Sequence, residues 1–103
     1  MDIKEIAQKL RDKLKKYDDF KGLYLYGSRI TGNYKEDSDI DIVAVFEKEQ
    51  DYANERKISR EVLDIELELE NYIIIDFHPM TEEELNLNYI YFNEIKKGIY
   101  YAA

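Results

Sequence analysis

Gly27-Ser28-Arg29-Ile30-Thr31-Gly32 is followed by Asn33 to Asp37, and then by Ser38-Asp39-Ile40-Asp41-Ile42-Val43-Ala44-Val45-Phe46. The run from Asp39 decides the fold. Strand side chains alternate between two faces. Ile40, Ile42, Ala44 and Phe46 therefore share one face, and Asp39, Asp41, Val43 and Val45 share the other. Apolar residues on both faces predict a central strand whose far end is covered on both sides. Its near end carries two carboxylates on one face, which repel each other when ionised. A cation between them relieves that repulsion, and hard oxygen ligands suit Mg²⁺ held together with substrate phosphates. The Gly27-Ser28 turn upstream offers backbone N–H groups and a hydroxyl to a phosphate. The stretch points to the transfer of phosphate groups.

Other elements follow outward from this strand. Ile3, Ile6, Ala7, Leu10 and Leu14 recur at helical spacing, so residues 2 to 16 predict an amphipathic helix with Asp2 as its cap. Gly22 to Tyr26 reads as a strand ending at Gly27. Residues 28 to 37 read as a turn or short helix and a polar loop. Residues 51 to about 69 suit a helix with Ile58, Val62, Ile65 and Leu69 buried. Tyr72 to His78 reads as a third strand, with Pro79 marking its exit. Thr81 and Glu84 resemble a capping box for a helix that runs to about Lys97, with a break near Asn86 or Asn88. Gly98 stops it, and Ile99 to Tyr101 adds a short edge strand.

Composition limits the alternatives. The 103 residues suffice for one domain with one core, and 45% hydrophobic content favours folding over disorder. There is no apolar run of membrane-spanning length, no signal peptide and no cysteine, which fits a cytoplasmic protein. Fifteen basic against 23 acidic residues give a net charge of −8, which argues against nucleic acid as a partner. Lys9, Arg11, Lys13, Lys15 and Lys16 cluster on the first helix and read as a solvated face. The ten tyrosines read as half-buried core or edge residues.

Asp76 is the second informative residue. It interrupts Tyr72-Ile73-Ile74-Ile75-Asp76-Phe77-His78, where a charge is expensive unless paired or bound to a metal. If the third strand lies beside the central one, Asp76 joins Asp39 and Asp41 on one face. Three such carboxylates can hold two divalent ions about 4 Å apart, a clamp suited to in-line displacement at phosphorus. His78, the single histidine, reads as a structural residue at the strand's end.

These residues resemble the nucleotidyltransferase superfamily whose best-known member is DNA polymerase beta. In its signature, Gly-Ser is followed by ten residues and then Asp-x-Asp. Gly27-Ser28 and Asp39-Ile40-Asp41 have that spacing. Within the superfamily the chain is similar to the minimal nucleotidyltransferases, often encoded beside a HEPN-domain protein. The Lys97-Gly98-Ile99-Tyr100 ending is similar as well. One departure is Ile30-Thr31-Gly32, where many minimal members carry Ala-Arg-Gly. The resemblance implies an α+β nucleotidyltransferase fold, a small mixed sheet with helices packed against it, as a single domain over residues 1–103.

Carried over residue by residue, the resemblance implies that Gly27 and Ser28 hold the β- and γ-phosphates of a nucleoside triphosphate and that Arg29 touches them. Asp39 and Asp41 would ligate two Mg²⁺ ions. Asp76 would ligate the catalytic ion and help activate an acceptor hydroxyl. The implied reaction transfers AMP from ATP to a tyrosine of a partner HEPN toxin, so that the chain acts as the antitoxin of a toxin–antitoxin system. The alternatives are a binding module that neutralises its partner by occlusion with little turnover, or a transferase acting on a small molecule. A homo- or hetero-oligomer is compatible with each.

Overall fold

Asp2 opens the first helix, α1 (Ile3–Leu14), by accepting a hydrogen bond from the Glu5 N–H at 2.9 Å. That bond satisfies a donor which a helix start otherwise leaves orphaned. The computed structural model describes residues 2–32, 39–69, 73–87 and 89–103. After α1 come β1 (Phe20–Tyr26), α2 (Ser28–Thr31), β2 (Ile40–Phe46), α3 (Tyr52–Glu66), β3 (Ile75–Thr81), α4 (Glu82–Leu87), α5 (Tyr89–Lys96) and β4 (Ile99–Ala102). The polar loop expected through Asp37, the strand start expected at Tyr72 and the helix break expected at Asn88 lie outside the described residues.

The four strands form one mixed sheet in the order β3-β2-β1-β4. β2 runs antiparallel to β1 and parallel to β3, and β4 runs antiparallel to β1. The expected α+β architecture with a small mixed sheet is therefore the observed one. β2 has a neighbour on each side, as its two-faced apolar pattern requires. Ile40, Ile42, Ala44 and Phe46 join α1 and α3 in the larger core. Val43 and Val45 join Leu85 of α4 and Ile95 of α5 in a second core on the opposite face. Each Ile or Leu buried in these layers contributes about 1.5–3 kcal/mol from the apolar area taken out of water.

β3 departs from the sequence expectation. Its register begins with Ile40 opposite Ile75 and continues through Thr81, so Pro79 lies inside the strand, opposite Ala44. Proline has no N–H to give to a ladder and is tolerated at an edge. β3 is an edge strand, and that explains Pro79 there. His78 is likewise in the interior of the strand rather than at its end.

Helix α4 starts on a reciprocal box. Glu84 N–H donates to the Thr81 hydroxyl at 3.0 Å, and Thr81 N–H and Oγ1 reach back to Glu84 Oε1 at 3.4 and 3.2 Å. Thr81→Ala removes the hydroxyl and its two hydrogen bonds, leaving only the backbone N–H to reach Glu84. It is expected to cost about 1 kcal/mol, read as a lower urea midpoint with an unchanged slope.

The basic residues in and just after α1 are half-buried or exposed, and several of them are paired. Lys9 pairs with Glu68, Lys16 with Glu61, and Asp12 bridges Arg11 and Lys15. Among the described residues no helix is long and apolar enough to cross a membrane.

Candidate active site

β1 ends at Gly27, and the chain turns at once into the short helix α2. Gly27 has φ +89°, a region that residues with a Cβ rarely enter. A second constraint acts on the same atom. A Cβ at Gly27 would collide with the Asp41 carboxylate, lying only 3.0 Å from its carboxyl carbon. Glycine therefore does two jobs here: it permits the turn and lets the turn lie against Asp41. Ser28 and Arg29 follow, both half-buried and both engaged with neighbours. Backbone bonds from Ile30 N–H to Gly27 O and from Gly32 N–H to Ser28 O, each 3.0 Å, close the turn.

Asp41 is the second residue of β2. It is opposite Tyr26 of β1 on one side and opposite Asp76 of β3 on the other. Residues opposite each other in a parallel ladder point to the same face, so the two carboxyl groups meet. Burial pushes the Asp41 carboxyl up to about 6. A hydrogen bond to Asp76 and the charges of Asp76 and Asp39 push in the same direction, and His78 opposes them. His78 Nε2 lies 3.0 Å from Asp76 Oδ1, with both side chains about half exposed. Period-two alternation along β3 puts Asp76 and His78 on one face.

The sequence-derived site is thus partly assembled. Gly27, Asp41 and Asp76 come together, and Ser28 and Arg29 follow Gly27 as the first residues of α2. Asp39 stands one residue before β2, exposed, close enough for its charge to act on Asp41. Among the described residues, no three acidic or histidine side chains converge as a metal-binding group. The Asp41–Asp76 pair still has the chemistry of a hard-cation site. Both partners offer only oxygen donors, and the burial and mutual repulsion that raise the Asp41 carboxyl are what a cation between the two would relieve. The sequence reading undervalued His78. The i, i+2 spacing from Asp76 within a strand is the signal that could have placed it at the site.

Comparison with known proteins agrees with this geometry. A family model described as polymerase beta, nucleotidyltransferase, matches residues 8–97. Among solved structures, the chain resembles a protein from Sulfolobus solfataricus assigned as a nucleotidyltransferase. That match has a TM-score of 0.59 and 22% identity, and covers 93% of this chain and 76% of the other. At that identity the likeness speaks to fold. No curated protein matches the chain by sequence.

Proposed function

The chain belongs to the polymerase beta nucleotidyltransferase family, and from that premise we propose that it transfers AMP from ATP to a tyrosine hydroxyl of a partner HEPN-domain toxin, acting as the antitoxin. In this reaction the acceptor oxygen forms a bond to the α-phosphorus. The bond from that phosphorus to the bridging oxygen breaks, and pyrophosphate leaves with the electron pair. The acceptor proton passes to solvent or to a neighbouring carboxylate.

One observation carries the reading: the Gly27 backbone rests against the Asp41 carboxylate, which itself faces Asp76. That juxtaposition supports a turn that would bind phosphate beside an oxygen-donor pair that would bind cations. Gly27, Ser28 and Arg29 are the residues that would hold the triphosphate. Asp41 and Asp76, with Asp39 at the strand's mouth, would hold divalent cations, two Mg²⁺ ions in this reading. Bound there, the cations would lower the acceptor's pKa and neutralise charge on the phosphates. His78 Nε2, 3.0 Å from Asp76 Oδ1, would help to orient that carboxylate. A net charge of −8 supports a basic partner, such as an RNA-directed toxin, over nucleic acid itself. The reading treats residues 1–103 as one nucleotidyltransferase domain working in the cytoplasm, where ATP is abundant.

The test is incubation of the purified chain with each labelled nucleoside triphosphate and Mg²⁺, with and without the HEPN-domain protein. AMP added to a tyrosine of that protein, detected by mass spectrometry, is the expected result. No nucleotide transfer under any combination would sink the proposal. A second reading, neutralisation by occlusion, is favoured by Asp39 not closing a three-ligand group with the other acids among the described residues. The Asp39→Asn, Asp41→Asn double variant separates the two. If it still neutralises the partner fully, occlusion is the mechanism.

A further inference from the structure

Tyr100 of β4 leans over its neighbour β1. Its hydroxyl donates to the Lys21 carbonyl oxygen at 3.0 Å. A Cβ at Gly22 would lie 2.6 Å from the ring's Cζ, so the bare backbone of β1 makes room for the ring. The Tyr24 ring, opposite Tyr100 in the β1–β4 ladder, has its centroid 4.7 Å away at a tilt of 45°. The two rings stand together as one wall. Phe92 of α5 and the buried Val45 and Leu85 complete the apolar lining of a cavity of about 360 Å³. Its polar groups come from one helix. Glu82 and Asn86, both exposed, are four residues apart on α4 and share a face.

This lining has the chemistry of a cation site. Aromatic faces attract cations, and a carboxylate beside them adds an ion pair. Lys96, outside the lining, already places its Nζ 4.0 Å from the Phe92 ring centroid. Among the described residues Glu82 is in no ion pair. The charge of Lys21 reaches Glu82 and Tyr100, but its Nζ is held by Glu47 at 2.7 Å. We propose that this pocket takes the guanidinium of an arginine side chain carried by the acceptor protein.

A guanidinium is flat and weakly hydrated. It stacks on an aromatic wall while its N–H donors reach a carboxylate and an amide oxygen. An ammonium is more strongly hydrated and offers no plane. The pocket is on the sheet face that carries Asp41. Asp41 and Val45 share that face, four residues or about 13 Å apart along β2. A protein that presents a hydroxyl to Asp41 and Asp76 spans this distance with its ordinary surface, and a small acceptor does not. The net charge of −8 favours a basic surface there. The identity of the partner rests on the protein acceptor proposed above, and the cation site does not.

The probe is N-acetyl-arginine methylamide, followed through the aromatic proton resonances of Tyr24, Phe92 and Tyr100. N-acetyl-citrulline methylamide is its uncharged match. The arginine compound is expected to shift these resonances saturably, with a Kd on the order of millimolar. The citrulline compound should bind about tenfold more weakly. Glu82→Gln should weaken arginine binding by about fivefold. Glu82 is exposed and outside the Thr81–Glu84 box, and an unchanged melting temperature will confirm that the variant folds. A titration that does not saturate, equal binding of the two compounds, or an unchanged affinity in Glu82→Gln overturns the site. These measurements use neither nucleotide nor partner, so they do not depend on transfer. With the acceptor protein present, Glu82→Gln should raise the KM for that protein by about the same factor and leave kcat unchanged. Arginine binding with an unmoved KM overturns the docking role. Arginine binding with no transfer to any protein sinks the acceptor reading and leaves the cation site standing.

Discussion

Asp41→Asn is expected to abolish nucleotide transfer and, in the same protein, to stabilise the metal-free chain above pH 6. The two effects have one cause. Folding raises the Asp41 carboxyl from 3.8 to about 6 by burying it beside Asp76. The folded state therefore holds this proton more tightly than the unfolded state does. Below about pH 4 the group is protonated in both, and folding pays nothing. As pH rises from about 4 to 6, the unfolded chain ionises while the folded chain still holds its proton, so stability falls, and it levels off above 6. For a fully buried group a shift of this size corresponds to about 3 kcal/mol. Solvent reaches half-buried Asp41 and reduces the figure to about 1 kcal/mol. Asn removes that penalty, so the variant should unfold at higher urea than the parent at pH 8 and at nearly equal urea at pH 4.

Mg²⁺ should reverse the order. A cation bound between Asp41 and Asp76 stabilises the parent by mass action and does little for the variant. Chelation should bring the parent back to its metal-free midpoint. Transfer by Asp41→Asn should fall by about 100-fold or more, because in the proposed reaction Asp41 is a cation ligand. A variant that is no more stable at pH 8 than the parent would mean that Asp41 carries no buried repulsion, whatever happens to activity.

Gly27→Ala should have the second-largest effect, and Gly32→Ala is its control. Both glycines have positive φ, +89° and +88°. A side chain in that region costs about 1–3 kcal/mol of backbone strain. At Gly32 nothing lies within 4 Å of the added Cβ, so strain is the whole effect. At Gly27 the Cβ also meets the Asp41 carboxylate. Either the turn or the carboxylate must move, and a displacement near 1 Å at a reacting centre costs about 100-fold in rate. Gly27→Ala should thus lose stability and transfer together, while Gly32→Ala loses only stability. Equal transfer rates in the two variants would dissociate the turn from the site.

How far the sequence could be read depended on whether a residue's neighbours were themselves visible in it. β2 was legible in full, because its two faces are written out in alternation and each found its own core. Asp2, Thr81 and Glu84 were legible as caps because capping is local. β3 was less so. Its start is set by pairing with Ile40, and its tolerance of Pro79 by the lack of a strand on its far side. Neither fact exists in the strand's own residues. At the site, the facing of Asp41 and Asp76 followed from strand parity once the two strands were taken as neighbours. His78 read as a structural residue at a strand end because nothing local shows that β3 continues past it. The collision that makes Gly27 obligatory depends on a carboxylate fourteen positions away, and no local rule reveals it.

The pairing of β4 with β1 has a consequence for how the chain reaches this state. The Tyr100 hydroxyl donates to the Lys21 carbonyl oxygen, 79 positions earlier in the chain. Gly22 is opposite Ala102, and Leu25 is opposite Ile99. During synthesis β1 emerges early, yet its outer edge waits until Ile99–Ala102 have followed. Contacts so distant in sequence are slow to form, since a long loop must close before they give anything back. For that interval β1 presents bare backbone donors and acceptors, the kind of edge on which nascent chains aggregate. The final strand of this small sheet is therefore a late-arriving seal, and expression at low temperature or with a chaperone that shields strand edges should raise the soluble yield.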